Sequence, residues 1–75
     1  MKWTTGAEIK RLRKKLKLTQ AEAARRTGIT QGYQSQLEKM KRVENPLLVH
    51  IWTNKWARNH FLVEGALVAK PDRRA

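Results

Sequence analysis

The chain has 75 residues, of which 17 are Lys or Arg and 6 are Asp or Glu, giving a formal net charge of +11. This length predicts one small domain, too small to build both a core and an enclosed catalytic pocket. The absence of cysteine excludes disulfides and zinc–thiolate sites. No apolar run approaches the roughly 18 residues of a transmembrane helix, and the first residues lack the apolar segment of a secretory signal. We therefore expect a soluble cytoplasmic protein without a membrane partner.

The positive charge is concentrated in one part of the chain. The segment from Lys10 to Arg42 has eleven basic residues and two acidic ones, so it carries +9 of the +11. Such a block attracts polyanions and gains free energy by releasing their counterions. Duplex DNA, RNA and an anionic membrane surface all fit this pattern. A solvated helix face that only keeps the protein soluble is the alternative. The basic residues are Lys10, Arg11, Arg13, Lys14, Lys15, Lys17, Arg25, Arg26, Lys39, Lys41 and Arg42.

The first predicted element is an amphipathic helix from roughly Gly6 to Lys17. Ile9, Leu12 and Leu16 follow a spacing of three and then four residues, which places them on one helix face. Thr5 stands where a helix cap is expected, three residues before Glu8.

Two short helices are predicted next. Thr19 begins the capping sequence TQAE, and Gly28 is expected to end this helix. Thr30 caps the following helix, which opens the segment QGYQSQLEKM. Two short helices separated by a brief turn with a glycine are typical of a helix-turn-helix.

The remainder of the chain predicts a fourth helix and an extended segment. Asn45 and Pro46 are a helix start, and the apolar residues that follow carry that helix to Arg58 or Asn59. The triplets FLV and ALV flank Glu64 and Gly65, a pattern that favours a strand or hairpin over a broken helix. Residues 70–75 are predicted to be a disordered basic tail, so residues 1–69 form the single domain.

The segment LTQAEAARRTGITQGYQSQLE resembles the helix-turn-helix of the Cro and lambdoid-repressor family, the xenobiotic-response-element-like regulators of phages, plasmids and bacteria. The resemblance covers roughly residues 6–58 and places the helix-turn-helix at about residues 19–40. It implies a mostly α-helical bundle of four to five helices. The matching residues are Gln20, Ala24, Gly28, Ile29, Thr30, Gln31, Leu37 and Glu38.

A polar face on the second of these helices is the predicted site of base readout. It comprises Gln31, Gly32, Ser35 and Gln36, and uncharged amides suit base edges in the major groove. The resemblance assigns base contacts to Gln31, Gly32 and Gln36. Ser35 is added because it lies on the same face of the helix. The alternative is ordinary solvated helix surface. Phosphate contacts are predicted for Thr19, Gln20, Lys39, Lys41 and Arg42. The resemblance gives Gln20 a second role, which is to brace the first recognition residue.

Three further features follow from the same resemblance. Arg13 and Glu38 match a partly buried ion pair between helices, although two independent surface charges are the alternative. Gln34 occupies a position that is usually apolar, and either its neighbours cover it or it forms a hydrogen bond at the edge of the core. Met40 replaces a glycine that commonly ends the recognition helix, which predicts a helix continuing through residues 39–42.

The aromatic residues are interpreted as core or as interface. Trp52 and Trp56 lie four residues apart and are predicted to be core, with a dimer contact as the alternative. The candidate dimer contacts are Trp52, Trp56, Phe61 and Val63. Trp3 is predicted to fold back on the core.

No metal site, cofactor or small-molecule ligand is expected, and the chain is not predicted to be an enzyme. His50 and His60 lack cysteine or carboxylate partners at ligand spacing, and no catalytic group of residues is evident.

These observations predict a sequence-specific, DNA-binding transcriptional regulator associated with the nucleoid, and most simply a repressor or autoregulator. It is expected to bind a palindromic operator as a homodimer, with half-sites about 34 Å apart. Repression would follow from occupying the promoter, since no effector domain fits within 75 residues. The alternatives are an antitoxin of the same fold, a non-specific RNA- or nucleoid-binding protein and a cationic membrane-surface peptide.

Overall fold

The computed structural model describes residues 2–66 as a small bundle of helices. Its elements are α1 (Gly6–Lys15), α2 (Gln20–Thr27), α3 (Gln31–Leu37), α4 (Pro46–Thr53), α5 (Lys55–Arg58) and a π-helical segment (Asn59–Val63). The prediction of an all-α bundle is confirmed. The predicted tail at residues 70–75 lies outside the described residues, as do residues 67–69.

Each of the first four helices begins at the side chain that the sequence predicts as its cap. The hydroxyl groups of Thr5, Thr19 and Thr30 accept hydrogen bonds of 3.0–3.1 Å from the backbone N–H three residues later. Asn45 does the same for α4 through its Oδ1 atom, at 3.1 Å from the N–H of Leu48. These bonds satisfy N–H groups that have no partner inside the helix.

The turns before and after α2 determine how α1 and α3 are positioned relative to it. Helix α1 ends at Lys15, two residues earlier than predicted, and the chain reverses at Lys17 with a φ of 62°. Gly28 ends α2 with a φ of 79°, a left-handed conformation that glycine adopts without steric cost. Ile29 then packs against the core, and α3 begins two residues later.

The predicted fourth helix is interrupted at Asn54, so it does not run unbroken to Arg58 or Asn59. Asn54 has a ψ of 122°, and its side chain accepts a hydrogen bond of 2.9 Å from Ala57 N–H, which starts α5. A polar residue able to cap a new helix therefore divides the segment in two.

The predicted strand or hairpin is wrong over residues 61–63, which belong to the π-helical segment. Glu64 N–H donates to the Asn59 carbonyl at 2.9 Å, the five-residue spacing of a π-helix. This backbone buries Leu62 completely. The Arg26 guanidinium donates to the carbonyls of Leu62 and Val63, at 2.6 and 3.2 Å, so the last turn has partners without strand pairing. The second triplet extends beyond residue 66.

The core lies between α1, α2, α3, α4 and the π-helical segment. Trp52 is completely buried, as predicted, whereas Trp56 is 67% exposed, so the prediction that it is core is wrong. Trp3 is 41% exposed, with the Arg42 guanidinium 4.7 Å from its ring centroid, and so does not bury itself in the core. The main cluster of buried apolar residues comprises Ile9, Leu12, Ala23, Leu37, Val43, Leu48, Val49, Ile51, Trp52 and Leu62. Within residues 2–66 no helix has the length and apolar character needed to cross a membrane.

Candidate nucleic-acid interface

The outer face of α3 presents the amides predicted to read bases. Gln31, Gly32 and Gln36 are exposed, and Ser35 is half-buried beside them. In residues 2–66 no side chain or backbone group bonds to the amide of Gln31 or of Gln36. Both amides can therefore donate and accept hydrogen bonds with a ligand without breaking contacts inside the protein.

Gly32 lies on this face without any requirement from the fold. A Cβ atom built on Gly32 would have no heavy atom within 4 Å. The positive φ angles among the described glycines occur at Gly28 and Gly65, so the backbone of Gly32 suits any residue. Gly32, the second residue of α3, therefore leaves open space beside the surface of the helix.

The inner side of α3 is held by a buried ion pair to α1. Arg13 Nε donates to Glu38 Oε2 at 2.6 Å, and Arg13 Nη2 donates to Glu38 Oε1 at 3.1 Å. Both side chains are buried, with 10% and 3% exposed. Arg13 Nη1 also donates to the Leu18 carbonyl at 2.8 Å. The end of α3 is thereby joined to α1 and to the loop before α2.

Two glutamine amides complete this network. Gln34 Nε2 donates to Glu38 Oε2 at 2.8 Å, and Gln20 Nε2 donates to Glu38 Oε1 at 3.1 Å. Burial by itself raises the pKa of Glu38, but hydrogen bonds from Arg13, Gln34 and Gln20 outweigh it and hold that pKa below its ordinary value. Gln34 thus bonds within the core, at a position where the resemblance implied an apolar residue. Its Oε1 atom is buried without a partner in the described part of the chain.

The contact with Glu38 changes the expected role of Gln20. Its amide is directed at Glu38, and no hydrogen bond joins it to Gln31, the residue that it was expected to brace. One N–H of that amide remains for a phosphate.

Gly6 is a structural residue that the sequence reasoning missed. Its N–H donates to the Met40 carbonyl at 2.9 Å. A Cβ atom on Gly6 would lie 2.2 Å from the Leu37 carbonyl oxygen and 2.7 Å from the Glu38 carbonyl carbon. The start of α1 therefore rests directly on the backbone that ends α3. The sequence signal is weak, because a glycine after a capping threonine is also an ordinary helix start.

This contact also explains why α3 does not continue through residues 39–42, as predicted from Met40. The Met40 carbonyl bonds to Gly6, and Thr4 and Val43 then form an isolated antiparallel bridge, with N–O distances of 3.0 and 2.7 Å. The N-terminal segment thus occupies the space into which a longer recognition helix would extend.

The predicted phosphate contacts have different partners. Lys39 and Lys41 are exposed, and within residues 2–66 neither forms an ion pair. Arg42 Nε forms an ion pair with Glu44 Oε2 at 2.5 Å, and the guanidinium lies over Trp3. The Thr19 hydroxyl accepts from Glu22 N–H at 3.0 Å and keeps its own proton for a further acceptor. Two lysines therefore remain fully available at the end of α3.

Carboxylates elsewhere do little to oppose this positive field. Glu8 pairs with Arg11, Glu22 with Arg25 and Arg26, and Glu44 with Arg42. Hydrogen bonds from the paired arginines lower the pKa of Glu8 and of Glu22. Since the acids are engaged by arginines, the lysines in the described part of the chain carry unneutralised charge.

The candidate dimer contacts separate into buried and exposed residues. Trp52 is completely buried and cannot contact a second chain, so it is removed from that set. Phe61 is half-buried against the core. Trp56 and Val63 are 67% and 51% exposed, and the Trp56 ring stacks on His60 with centroids 4.7 Å apart.

Comparison with known proteins gives one result. A family model described as Helix-turn-helix matches residues 9–44, which include most of α1, the whole of α2 and α3, and the loop that follows. No curated protein and no solved structure matches the chain.

Proposed function

Because residues 9–44 belong to the helix-turn-helix family typified by Cro and the lambdoid repressors, we propose that this DNA-binding regulator is a sequence-specific repressor that reads its operator with α3. Membership in this family supports a DNA-binding transcriptional regulator. We propose in addition that the protein recognises a specific sequence, represses transcription and binds an operator with two-fold symmetry.

The proposal rests on the side-chain amides of Gln31 and Gln36, which form no hydrogen bond within residues 2–66 and lie on a helix whose opposite side is held by the bonds to Glu38. A glutamine amide can form two hydrogen bonds with adenine in the major groove. Lys39 and Lys41 lie just beyond the end of α3, where their charge suits phosphates. The hydrogen bonds to Glu38 support this role, because recognition of a base requires that α3 does not rotate about its own axis.

Two copies of the chain bound to a palindrome complete the proposal. Two-fold operators match two-fold dimers, with recognition helices about 34 Å apart in successive major grooves. We assign the exposed residues Trp56 and Val63 to the dimer contact, together with half-buried Phe61. Occupation of a promoter by this dimer would repress transcription, and DNA binding would place it at the nucleoid.

Replacing Gln36 with alanine tests the base contact. We expect a loss of about 1–3 kcal/mol on the selected operator and a changed preference at one base pair, because a specific contact is removed. The matched variant is Lys41→Ala, which should weaken operator and random DNA alike and flatten the salt dependence of binding. Fluorescence anisotropy titrations at several salt concentrations measure both effects. Equal losses on operator and random DNA for Gln36→Ala would contradict base readout.

Replacing Gly32 with alanine separates stability from recognition. Since the added methyl group meets open space, we expect the folded protein to gain up to about 1 kcal/mol of stability from helix propensity. If α3 lies close to bases, the same methyl group should weaken operator binding. Urea unfolding and DNA titration of one preparation measure the two quantities. Higher stability together with unchanged affinity would show that no DNA group approaches Gly32.

Replacing Trp56 with alanine tests the dimer contact. Because Trp56 is 67% exposed, we expect the free energy of unfolding of the monomer to change by less than about 0.5 kcal/mol. Dimer formation should weaken by about 2 kcal/mol or more, as is usual for a central tryptophan. Sedimentation equilibrium over a range of concentrations measures this change. An unchanged association constant would remove Trp56 from the interface.

A further inference from the structure

A groove runs along α1, and Val63 at one end is the one lining residue in the described part of the chain that the proposed function also uses. One section has a volume of about 600 Å³ and lies between the N-terminal segment, α1 and α4. A second section of about 170 Å³ lies between α1, α5 and the π-helical segment. The two sections share Leu12, Lys15 and Arg58 in their walls. We call this surface the α1 groove, and no residue of α2 or α3 lines it.

The α1 groove is apolar along its base and at both ends. Leu12 and Leu16 of α1 line it, and Trp3 and Val63 stand at opposite ends with 41% and 51% of their surface exposed. Leu12 is buried and Leu16 half-buried, so Trp3 and Val63 supply the exposed apolar surface, which in a concavity is typical of a binding site for a partner. A helix lying in such a groove buries its apolar face there.

The rim of the α1 groove is positively charged. Arg11 is neutralised by its ion pair with Glu8. Lys15 and Lys55 form no ion pair within residues 2–66, and both are exposed. Arg58 donates to the Trp52 carbonyl at 2.6 Å and forms no ion pair within residues 2–66, although its charge helps to lower the pKa of Glu8. The occupant that suits this rim carries carboxylates.

The described part of a second copy does not supply them. All five glutamates in residues 2–66 have partners inside the protein: Glu8, Glu22, Glu38 and Glu44 pair with arginines, and Glu64 lies 3.4 Å from His60. The lysines of residues 2–66 form no ion pairs, so this part of a second copy would bring like charge to the rim. Charge complementarity therefore favours a different protein.

We propose that the α1 groove binds an acidic amphipathic helix of another protein, with its apolar side chains on Leu12 and Leu16 and its carboxylates on Lys15 and Lys55. Helix α1 has ten residues and is about 15 Å long, so the contact accommodates about three turns of the partner. Such binding would connect the regulator to a second protein while α3 stays free for DNA. It goes beyond the proposed function and does not depend on it.

The test uses a designed helical peptide of about 15 residues with leucine on one face and glutamate on the other. A second peptide carries lysine in place of each glutamate. Each is titrated into the isotopically labelled full chain at about 0.15 M salt, where exposed charges are partly screened. Amide chemical shifts locate the contact. We expect the acidic peptide to bind with the largest shifts at the α1 groove, and the lysine peptide to bind at least about tenfold more weakly.

Matched charge reversals distinguish a local site from general attraction to a basic protein. Lys15→Glu/Lys55→Glu changes the rim, whereas Lys10→Glu/Lys14→Glu makes the same change in net charge on exposed residues that do not line the groove. We expect the rim variant to bind the acidic peptide about tenfold more weakly, and the control variant to bind within about twofold of the original protein. Trp3→Ser should also weaken binding, because it removes apolar contact at the end of the groove that is not assigned to the dimer.

Three outcomes would overturn the proposal. Equal losses for the rim and control variants would show attraction to net charge alone. Shifts concentrated on Gln31, Gln36 and Lys39 would show that the peptide occupies the DNA-binding face. A dimer whose formation protects the α1 groove would show that a second copy is the occupant. DNA titration of the rim variant is the independent check, since the proposed function can fail or hold whatever the peptide does.

Discussion

Replacing Gly6 with alanine is expected to lower the free energy of unfolding by about 3 kcal/mol or more. The new Cβ atom would lie 2.2 Å from the Leu37 carbonyl oxygen, and this oxygen belongs to backbone that cannot rotate away. Relief requires the start of α1 to move away from the end of α3. That movement would also lengthen the hydrogen bond from Gly6 N–H to the Met40 carbonyl.

Gly32→Ala is the matched control for this experiment, because it adds the same methyl group near the start of a helix but meets open space. Urea unfolding followed by circular dichroism measures both variants. Stability of Gly6→Ala within about 1 kcal/mol of the original protein would contradict the close approach of α1 and α3, since overpacking usually costs more.

Replacing Arg13 with methionine is expected to destabilise the protein by about 3–5 kcal/mol. The loss is large because the Glu38 carboxylate would stay buried without its charged partner, held only by two glutamine amides. Arg13→Met/Glu38→Met removes both charges and should be considerably more stable than the single variant. If the single and double variants lost equal stability, the ion pair would not be the origin of the effect.

The same pair predicts how stability depends on pH. The pKa of Glu38 is lower in the folded protein than its ordinary value, so ionised Glu38 stabilises the fold above the ordinary pKa. This contribution is lost as the pH falls through the lowered pKa, in the acid range below about pH 4.3. Glu38→Gln removes the titrating group. Comparing its unfolding free energy with that of the original protein from pH 7 downward should therefore show a difference that narrows on acidification. A difference that does not depend on pH would contradict this assignment.

The local starts of the helices could be predicted from the sequence, whereas long-range contacts could not. Thr5, Thr19 and Thr30 cap helices because their hydroxyls reach an N–H three residues away, and this relation depends only on neighbouring residues. The left-handed turn at Gly28 is local in the same sense. The contact of Gly6 with Leu37 joins residues far apart in the chain, so no local pattern predicts it.

The C-terminal segment shows how tertiary contacts override propensity. Phe61, Leu62 and Val63 have high β-propensity, which favoured a strand. In the fold, burial of Leu62 and two hydrogen bonds from Arg26 stabilise the π-helical backbone instead. The exposure of Trp56 has the same kind of origin. The break at Asn54 turns α5 relative to α4, so the spacing of four residues from Trp52 no longer places both rings on one face.

In the candidate site, the exposed face of α3 could be predicted from the sequence. Only part of the hydrogen-bond network that holds its inner side could be predicted. Gln31 and Gln36 are exposed where their spacing places them. The joint bonding of Gln20 and Gln34 to Glu38 depends on how α2 and α3 cross, and spacing along the chain does not give that crossing. The polar Gln34 is compatible with the core because its amide donates to a carboxylate.

Selection from a random duplex library at about 0.15 M salt, followed by the mass of the complex on the enriched sequence, decides whether α3 reads bases. We expect an enriched palindrome bound by two chains, with half-sites about 34 Å apart. We also expect Gln36→Ala to select a sequence altered at one position in each half-site. Absence of any enriched sequence, with binding that disappears as salt is raised, would contradict base readout by α3 and leave only the attraction of a basic surface for nucleic acid.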